Sequence, residues 1–472
     1  MTDRLTRSAP APKPGIVHFG PGAFFRAFNA VYTHEAVAEK GGDWGIVAVS
    51  LRSPGPRDQL APQGCAFTAV ELGPDGRRYA QIGAIAEALV APEDPEAVLA
   101  AMTDPAIRIV SLTITEKGYC HNPATGRLST DNADIAHDLA TPDAPRSAPG
   151  FIVEALARRR AAGHAPFTVL SCDNLPSNGR LARGIVIDFA RARDADLADW
   201  IAAEVTFPAT MVDRITPATT EDDVAALEEA QGYRDEAMVV HEPFRQWVIE
   251  DDFVDGRPAW DAVGAQMVED VEAHELMKLR CLNGTHSTLA YLGYLAGFET
   301  IAETTANPDF AALCAKLWAE EIVPTLPQPE GEDLSAYTAA LLERYQNPGI
   351  RHRTWQIAMD GSQKLPQRIL GTVTDQLDRG NVPHGLCLAV AAWIRYVGGT
   401  DEGGQPIDVR DPLADDLRAA ATSDDPVGAV LAIDAVFSER LAKDESFRAA
   451  VSDAHDRLTG DGAARTVAAF IA

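Results

Sequence analysis

Near residue 265 the hydrophobic pattern of this chain changes period, and that change limits what the chain can fold into. Before it, short apolar runs of strand length alternate with helical stretches, a pattern that builds a parallel sheet flanked by helices. The runs lie at residues 16–19, 44–52, 83–90, 107–114 and 167–171. A further run, EPFRQWVIEDD at 242–252, reads as a strand extending the same sheet. After the change, strand signals stop. Helical spacing carries residues 276–295, 310–322, 334–345, 386–396, 411–422 and the tail from Phe447. A chain of 472 residues is long enough for two cores. The expected architecture is α/β, with an α/β domain over residues 1–265 and a mostly α-helical domain over residues 266–472.

The first run says what the α/β domain is for. In KPGIVHFGPGAFFRAF, Ile16, Val17 and Phe19 make a short strand, Gly20-Pro21-Gly22 a tight turn and residues 23–30 a helix. Strand, glycine turn and helix start together open a Rossmann-type dinucleotide-binding unit. Gly20 and Gly22 let the backbone approach a pyrophosphate, whose charge the helix N-terminus stabilises. The third glycine of the usual fingerprint is replaced by Phe25, followed by Arg26. The second run ends in Arg52-Ser53-Pro54, where an NAD-binding unit ordinarily carries an acidic residue for the ribose hydroxyls. Arg52 is either a 2′-phosphate acceptor or a solvated strand-end residue; NAD is the expected cofactor, and this arginine leaves NADP open. The strand ends TEKGYC (115–120) and SCDNLPSNG (171–179) fall where an open α/β sheet holds its ligand. Glu116 and Lys117 there either line a nicotinamide pocket or cap a loop. Residues 122–149, rich in Pro, Asp and Thr, read as a long surface loop.

The chemistry is concentrated at the start of the helical domain, in ELMKLRCLNGTHSTLAYL (275–292). With Lys278 as zero, an α-helix puts Glu275 at about 60°, His286 at about 80° and Asn283 at about 140°. All four then share one side, unless the Asn283-Gly284 turn signal bends the helix. A lysine base, an amide donor and an orienting imidazole are what proton abstraction from an alcohol needs. A lysine titrates near about 10.4, so this use requires desolvation to lower it. A lysine base needs no metal. Downstream, RHRTWQIAMDGSQKLPQRIL (351–370) gathers Arg351, His352, Arg353, Lys364 and Arg368, either as a solvated basic face or as a site for an anion.

Composition removes other classes. A net charge of −28 argues against nucleic acid or an anionic membrane as partner. The N-terminus has no apolar signal core, and the uncharged apolar run at 385–394 is too short to span a bilayer. A cytoplasmic location is expected. Six scattered cysteines show no zinc spacing and no disulfide framework. No exposed amphipathic repeat demands a dimer, so a monomer or weak homo-oligomer is expected.

KLRCLNGTH resembles the K-x4-N-x2-H signature of the mannitol dehydrogenase family, the long-chain polyol-specific secondary alcohol dehydrogenases. The G-x-G-x-F-x-R start at Gly20 and the TITE-x-GY segment at residues 113–119 resemble the family too. The chain departs from the family's common histidines at Phe25 or Phe28. The resemblance runs from about residue 15 to the last helices and implies a nicotinamide-dependent oxidoreductase acting on an open-chain sugar derivative. It implies Lys278 as base, Asn174 and Asn283 as oxyanion donors each worth about 3–4 kcal/mol, His286 as orienting group and Glu275 as proton relay. It further implies Asp213, Lys364, Arg353 and Arg368 toward substrate, and Phe19, Gly20, Gly22, Phe24, Arg26, Arg52 and Glu116 toward cofactor. The active site is expected in the cleft between the domains. The long form of residues 351–370, with EPFRQWVIED and the SCDN turn, looks more like the hexuronate branch, the mannonate oxidoreductases or fructuronate reductases, than like mannitol 2-dehydrogenase. D-mannonate and D-fructuronate are the expected substrate pair, since a carboxylate would use the basic cluster. D-mannitol and D-fructose, or a polyol such as arabinitol, are the alternative. A non-catalytic nucleotide sensor would keep the fold, but the intact Lys-Asn-His set argues against it.

Overall fold

The structure is a computed structural model and describes residues 2–123 and 125–472. It divides into two compact units, one ending at Glu272 and the other beginning at Ala273.

The first unit is Rossmann-type. Five parallel strands form its main sheet in the order Ile85–Val90, Gly45–Ser50, Pro14–Phe19, Ile109–Leu112, Thr168–Ser171. The inner strands are buried on both faces, which is why they read as continuous apolar runs. The chain grows outward from Pro14–Phe19 on one side, then returns to add Ile109–Leu112 on the other. That reversal opens a crevice at the C-terminal ends of these two strands, where doubly wound sheets take their ligand.

Three expectations are corrected. The run at 242–252 forms a strand, Gln246–Glu250, but it does not extend the main sheet. It pairs antiparallel with Thr210–Asp213 and parallel with Gln266–Val268 in a separate three-stranded sheet. Alternation specifies a strand and its buried face but not its partner. Here Trp247 packs among Phe28, Tyr32 and Trp260 and fixes the strand there. The helix expected over 23–30 is broken: Ala23–Ala27 ends at Phe28, whose φ of −126° and ψ of −82° are not helical, and Asn29–Lys40 follows. Residues 122–149 are not one loop. They hold a two-stranded ribbon, His121–Asn122 with Arg127–Leu128, and the helix Ala133–Ala140. The side chain of Asn132 caps that helix by accepting from the Asp134 and Ile135 amides. Its polar composition resembles a loop because few of its residues are buried.

The second unit is built of helices around His384–Val397, against which Thr285–Leu295 and Glu445–Asp461 pack. The central stretch of the sequence is continuous here, but not one α-helix. Glu272–Met277 is α-helical, Lys278–Gly284 is a π-helix, and Thr285–Leu295 is α-helical again. Two further π stretches occur at Leu317–Ile322 and Pro366–Leu370. No helix among the described residues is long and apolar enough to cross a membrane. All six cysteines are free and buried.

Candidate active site

In the first unit the glycine turn is held by the strand beside it. Gly20 has φ +93°, and a Cβ there would lie 2.1 Å from the Thr113 carbonyl oxygen, so only glycine fits. The Thr113 hydroxyl donates to the Gly20 carbonyl at 2.7 Å. His18 joins the same strands through Nδ1 to Ser111 Oγ at 2.8 Å and Nε2 to Thr113 Oγ1 at 2.9 Å. Burial pushes the His18 pKa down to about 3, so the ring is neutral. Phe25 stacks on it with ring centroids 3.7 Å apart. The missing third glycine therefore has a use: its position carries the ring that covers His18. A Cβ on Gly22 would meet only the Gly20 carbonyl at 3.9 Å, which leaves that side of the turn open.

The other expected cofactor residues divide. The Phe19 side chain is fully buried against Phe151, and Phe24 stacks on Phe28. Arg26 is buried, its Nη1 donating to the Pro21 carbonyl at 2.8 Å, and burial lowers its pKa to about 10. Side chains of Phe19 and Arg26 therefore shape the turn from within and do not reach outward from it. Arg52 is exposed and lies 3.8 Å from Asp134.

Glu116 and Asn174 are both exposed, on two strand ends clamped together by Asp173. The buried Asp173 carboxylate accepts from the amides of Ile114 at 3.0 Å and Thr115 at 2.8 Å, and from the Tyr119 hydroxyl at 2.8 Å. Burial raises its pKa and these donors oppose the rise. The clamp holds Thr115 at φ +63°, an uncommon conformation for a β-branched residue. Asn178 continues the chain of contacts, its Nδ2 donating to the carbonyls of Asp173 and Thr210, each at 2.9 Å. Thr210 begins the strand that ends in the buried Asp213. Gly20, Glu116, Asn174 and Asp213 thus stand on one hydrogen-bonded series of strand ends.

In the second unit Lys278 and His286 are buried, with Glu275 and Asn283 half-buried. The π-helix changes the expected arc. Its amide-to-carbonyl bonds span five residues, so Lys278 and Asn283, five apart, stand about one turn apart on one face. The Asn283-Gly284 signal does not break the helix; Gly284 closes the widened stretch with helical φ of −66°.

The basic cluster is rearranged relative to expectation. Arg351 and Arg353 are exposed, and Arg353 pairs with Glu299 at 3.5 Å, so Arg353 does not join the buried group. A strand-like bridge to Thr300 turns it that way. The cations that do act on His286 are Arg368, Arg344 and Lys364. Burial first, then the unfavourable charge interaction that a second protonated imidazole at His352 would add, and then these three cations, hold the His286 pKa well below its ordinary value. His352 sits edge-on to His286 with centroids 4.7 Å apart, its own pKa pushed down to about 4 by burial and Lys364. Lys364 is lowered to about 8 by burial and by Arg368, its Nζ donating to the carbonyls of Met359 and Ile357. Arg368 donates to Ser287 Oγ at 3.1 Å.

Sequence reasoning missed Asp173, Asn178 and Arg344. Arg344 carried a signal. In Leu334–Tyr345 the buried positions are Tyr337, Leu341, Arg344 and Tyr345, so a cation stands on the apolar stripe, where its desolvation needs a reason.

Residues 14–262 match the mannitol dehydrogenase Rossmann domain, and residues 270–459 match the mannitol dehydrogenase C-terminal domain. The chain is 49% identical over 486 residues to D-mannonate oxidoreductase of Escherichia coli (strain K12), covering all of both proteins. Among solved structures it resembles Pseudomonas fluorescens mannitol 2-dehydrogenase in ternary complex with NAD and D-mannitol. That match has a TM-score of 0.84 and 39% identity, over 98% of this chain and 94% of the other. It also resembles substrate-free D-sorbitol dehydrogenase, with a TM-score of 0.92 and 36% identity over 99% and 100% of the two chains.

Proposed function

Because this chain belongs to the mannitol dehydrogenase family, we propose that it is an NAD-dependent oxidoreductase interconverting D-mannonate and D-fructuronate. One observation carries the choice of substrate: in a chain of net charge −28, Arg344, Lys364 and Arg368 surround two neutral histidines at the head of the site. Cations withdrawn from water this way favour an anion, and arginine takes a carboxylate in a two-point fork. The likeness to D-mannonate oxidoreductase supports the same pair.

NAD fits the open glycine turn beside Gly22, with Gly20, Glu116 and Asn174 on neighbouring strand ends. Bound there, the nicotinamide cofactor would supply the hydride acceptor for oxidation and the hydride donor for reduction. The chain does the rest. Lys278 takes the hydroxyl proton during oxidation and returns it during reduction. Asn283 and Asn174 donate to the oxygen as it gains charge. His286, neutral, orients that hydroxyl, and Glu275 passes the proton onward. Asp213 binds substrate hydroxyls.

The mannitol and fructose pair is the second reading, since a solved relative holds D-mannitol. Purified protein offered D-fructuronate and D-fructose, each with NADH and with NADPH, is expected to oxidise NADH with fructuronate and hardly at all with fructose. Arg368→Gln should raise KM for fructuronate by about 10- to 100-fold, the value of a charged hydrogen bond. Turnover of fructose alone would sink the carboxylate reading.

A pH dependence follows from Lys364. Its ammonium is charged below pH about 8 and neutral above it. KM for fructuronate should therefore climb as pH passes 8, whereas KM for a neutral ketose should stay level across that range. A flat fructuronate profile would remove Lys364 from carboxylate binding.

A further inference from the structure

A π-helix is rare because the α-helix competes with it, so a seven-residue π stretch needs something to hold it open. Where five-residue spacing gives way to four, carbonyls leave the regular ladder and need other donors. At the end of Lys278–Gly284 the Thr285 amide reaches the Leu282 carbonyl, and side chains supply the other donors. Trp318 Nε1 donates to the Cys281 carbonyl at 2.9 Å, and Thr285 Oγ1 donates to the same oxygen at 2.5 Å. Tyr345 Oη donates to the Leu282 carbonyl at 2.7 Å and lies 2.9 Å from Thr285 Oγ1. The ring of Tyr345 is stacked on His286, with centroids 5.4 Å apart and planes 17° apart. One side chain thus touches the widened turn, the residue that follows it and the imidazole on the next turn.

We propose that Tyr345, helped by Trp318 and Thr285, is a positioning residue that keeps this turn widened and so keeps Lys278 and Asn283 on one face beside His286. The inference rests on the reading of Lys278 as base. Without the phenol, the Leu282 carbonyl would keep only the short-range Thr285 amide and a 3.4 Å contact from the Thr285 hydroxyl, and reversion to α spacing would offer it a regular donor instead. Reversion separates Lys278 from Asn283 by about 140°. The base and the oxyanion donor would then stand at opposite edges of the shared side and no longer converge closely on one hydroxyl.

Tyr345→Phe keeps the ring on His286 and removes only the hydroxyl. It should lower kcat on the order of 100-fold, as small misplacements of reacting groups do. KM for NADH should change by less than about twofold, because only the second unit is altered. The primary isotope effect with 4-deuterated NADH should rise, since hydride transfer becomes the slow step. Backbone hydrogen exchange over residues 278–285 should quicken. Val451→Ala, a buried truncation in Glu445–Asp461, is the control for stability loss alone, and its isotope effect should match that of the unaltered protein. Full kcat in Tyr345→Phe, or loss with an unchanged isotope effect and unchanged exchange, would overturn the proposal. Exchange needs no substrate. If the unaltered protein turned over no sugar, the function would fall while exchange at 278–285 still decided whether Tyr345 holds the turn.

Discussion

Lys278→Ala is expected to lower kcat by about 10²–10⁴-fold, the usual contribution of a positioned acid–base group. The reasoning starts from burial. Lys278 is withdrawn from water on a helix whose neighbouring turn is fixed by Trp318, Thr285 and Tyr345, so the backbone that carries it is held. Removing it leaves both proposed amide donors, Asn174 and Asn283, which is why the loss should stop short of abolition. Nucleotide affinity should be nearly untouched, because Gly20, Gly22 and the strands that hold them lie in the other unit. Steady-state absorbance at the NADH band measures kcat, and quenching of NADH fluorescence measures affinity. Added methylamine should restore part of the rate, since a small base can enter the space the side chain left. If kcat fell less than about tenfold, another group would have to be the base.

What could be read from the sequence was whatever depended on neighbours in the chain. The strand before Gly20 and the turn through Gly22 were legible because backbone geometry demands those residues locally. The helical character of the second half was legible because each element shows its own spacing, but the strand Gln266–Val268 lies past residue 265, where no strand was expected, and the first unit ends at Glu272. Partnership was not legible. The strand Gln246–Glu250 was visible, but its place beside Thr210–Asp213 depends on aromatic packing with Phe28 and Tyr32, more than 200 positions earlier. The arc of Lys278 and Asn283 was computed for a helix that the chain does not form there, since Tyr345, 63 positions downstream of Leu282, supplies the donor. The basic stretch 351–370 looked uniform in composition. Burial divides it, leaving Arg353 paired at the surface and Arg368 inside with Ser287.

Gly284→Ala sets two effects of opposite sign against each other. Gly284 has ordinary helical dihedrals, so propensity alone would reward alanine with about 1 kcal/mol. A Cβ there, however, would sit 2.7 Å from the Arg368 carbonyl oxygen, a backbone atom of the π stretch Pro366–Leu370 that cannot swing away. Overpacking of that kind costs about 1–3 kcal/mol, so the steric effect should win and Tm should fall. Gly460, also helical and with nothing within 4 Å of its added Cβ, gives the comparison: alanine there should raise Tm. The larger consequence is kinetic. The two segments forced apart carry Lys278 and Asn283 on one side and Arg368 on the other. A shift near 1 Å in such groups costs on the order of 100-fold in rate. Thus kcat/KM for fructuronate should fall far more than the stability loss explains, with kcat and KM both affected. A rise in Tm with full activity would mean that the two widened helices do not approach each other so closely, and that the base and the proposed carboxylate site are positioned independently.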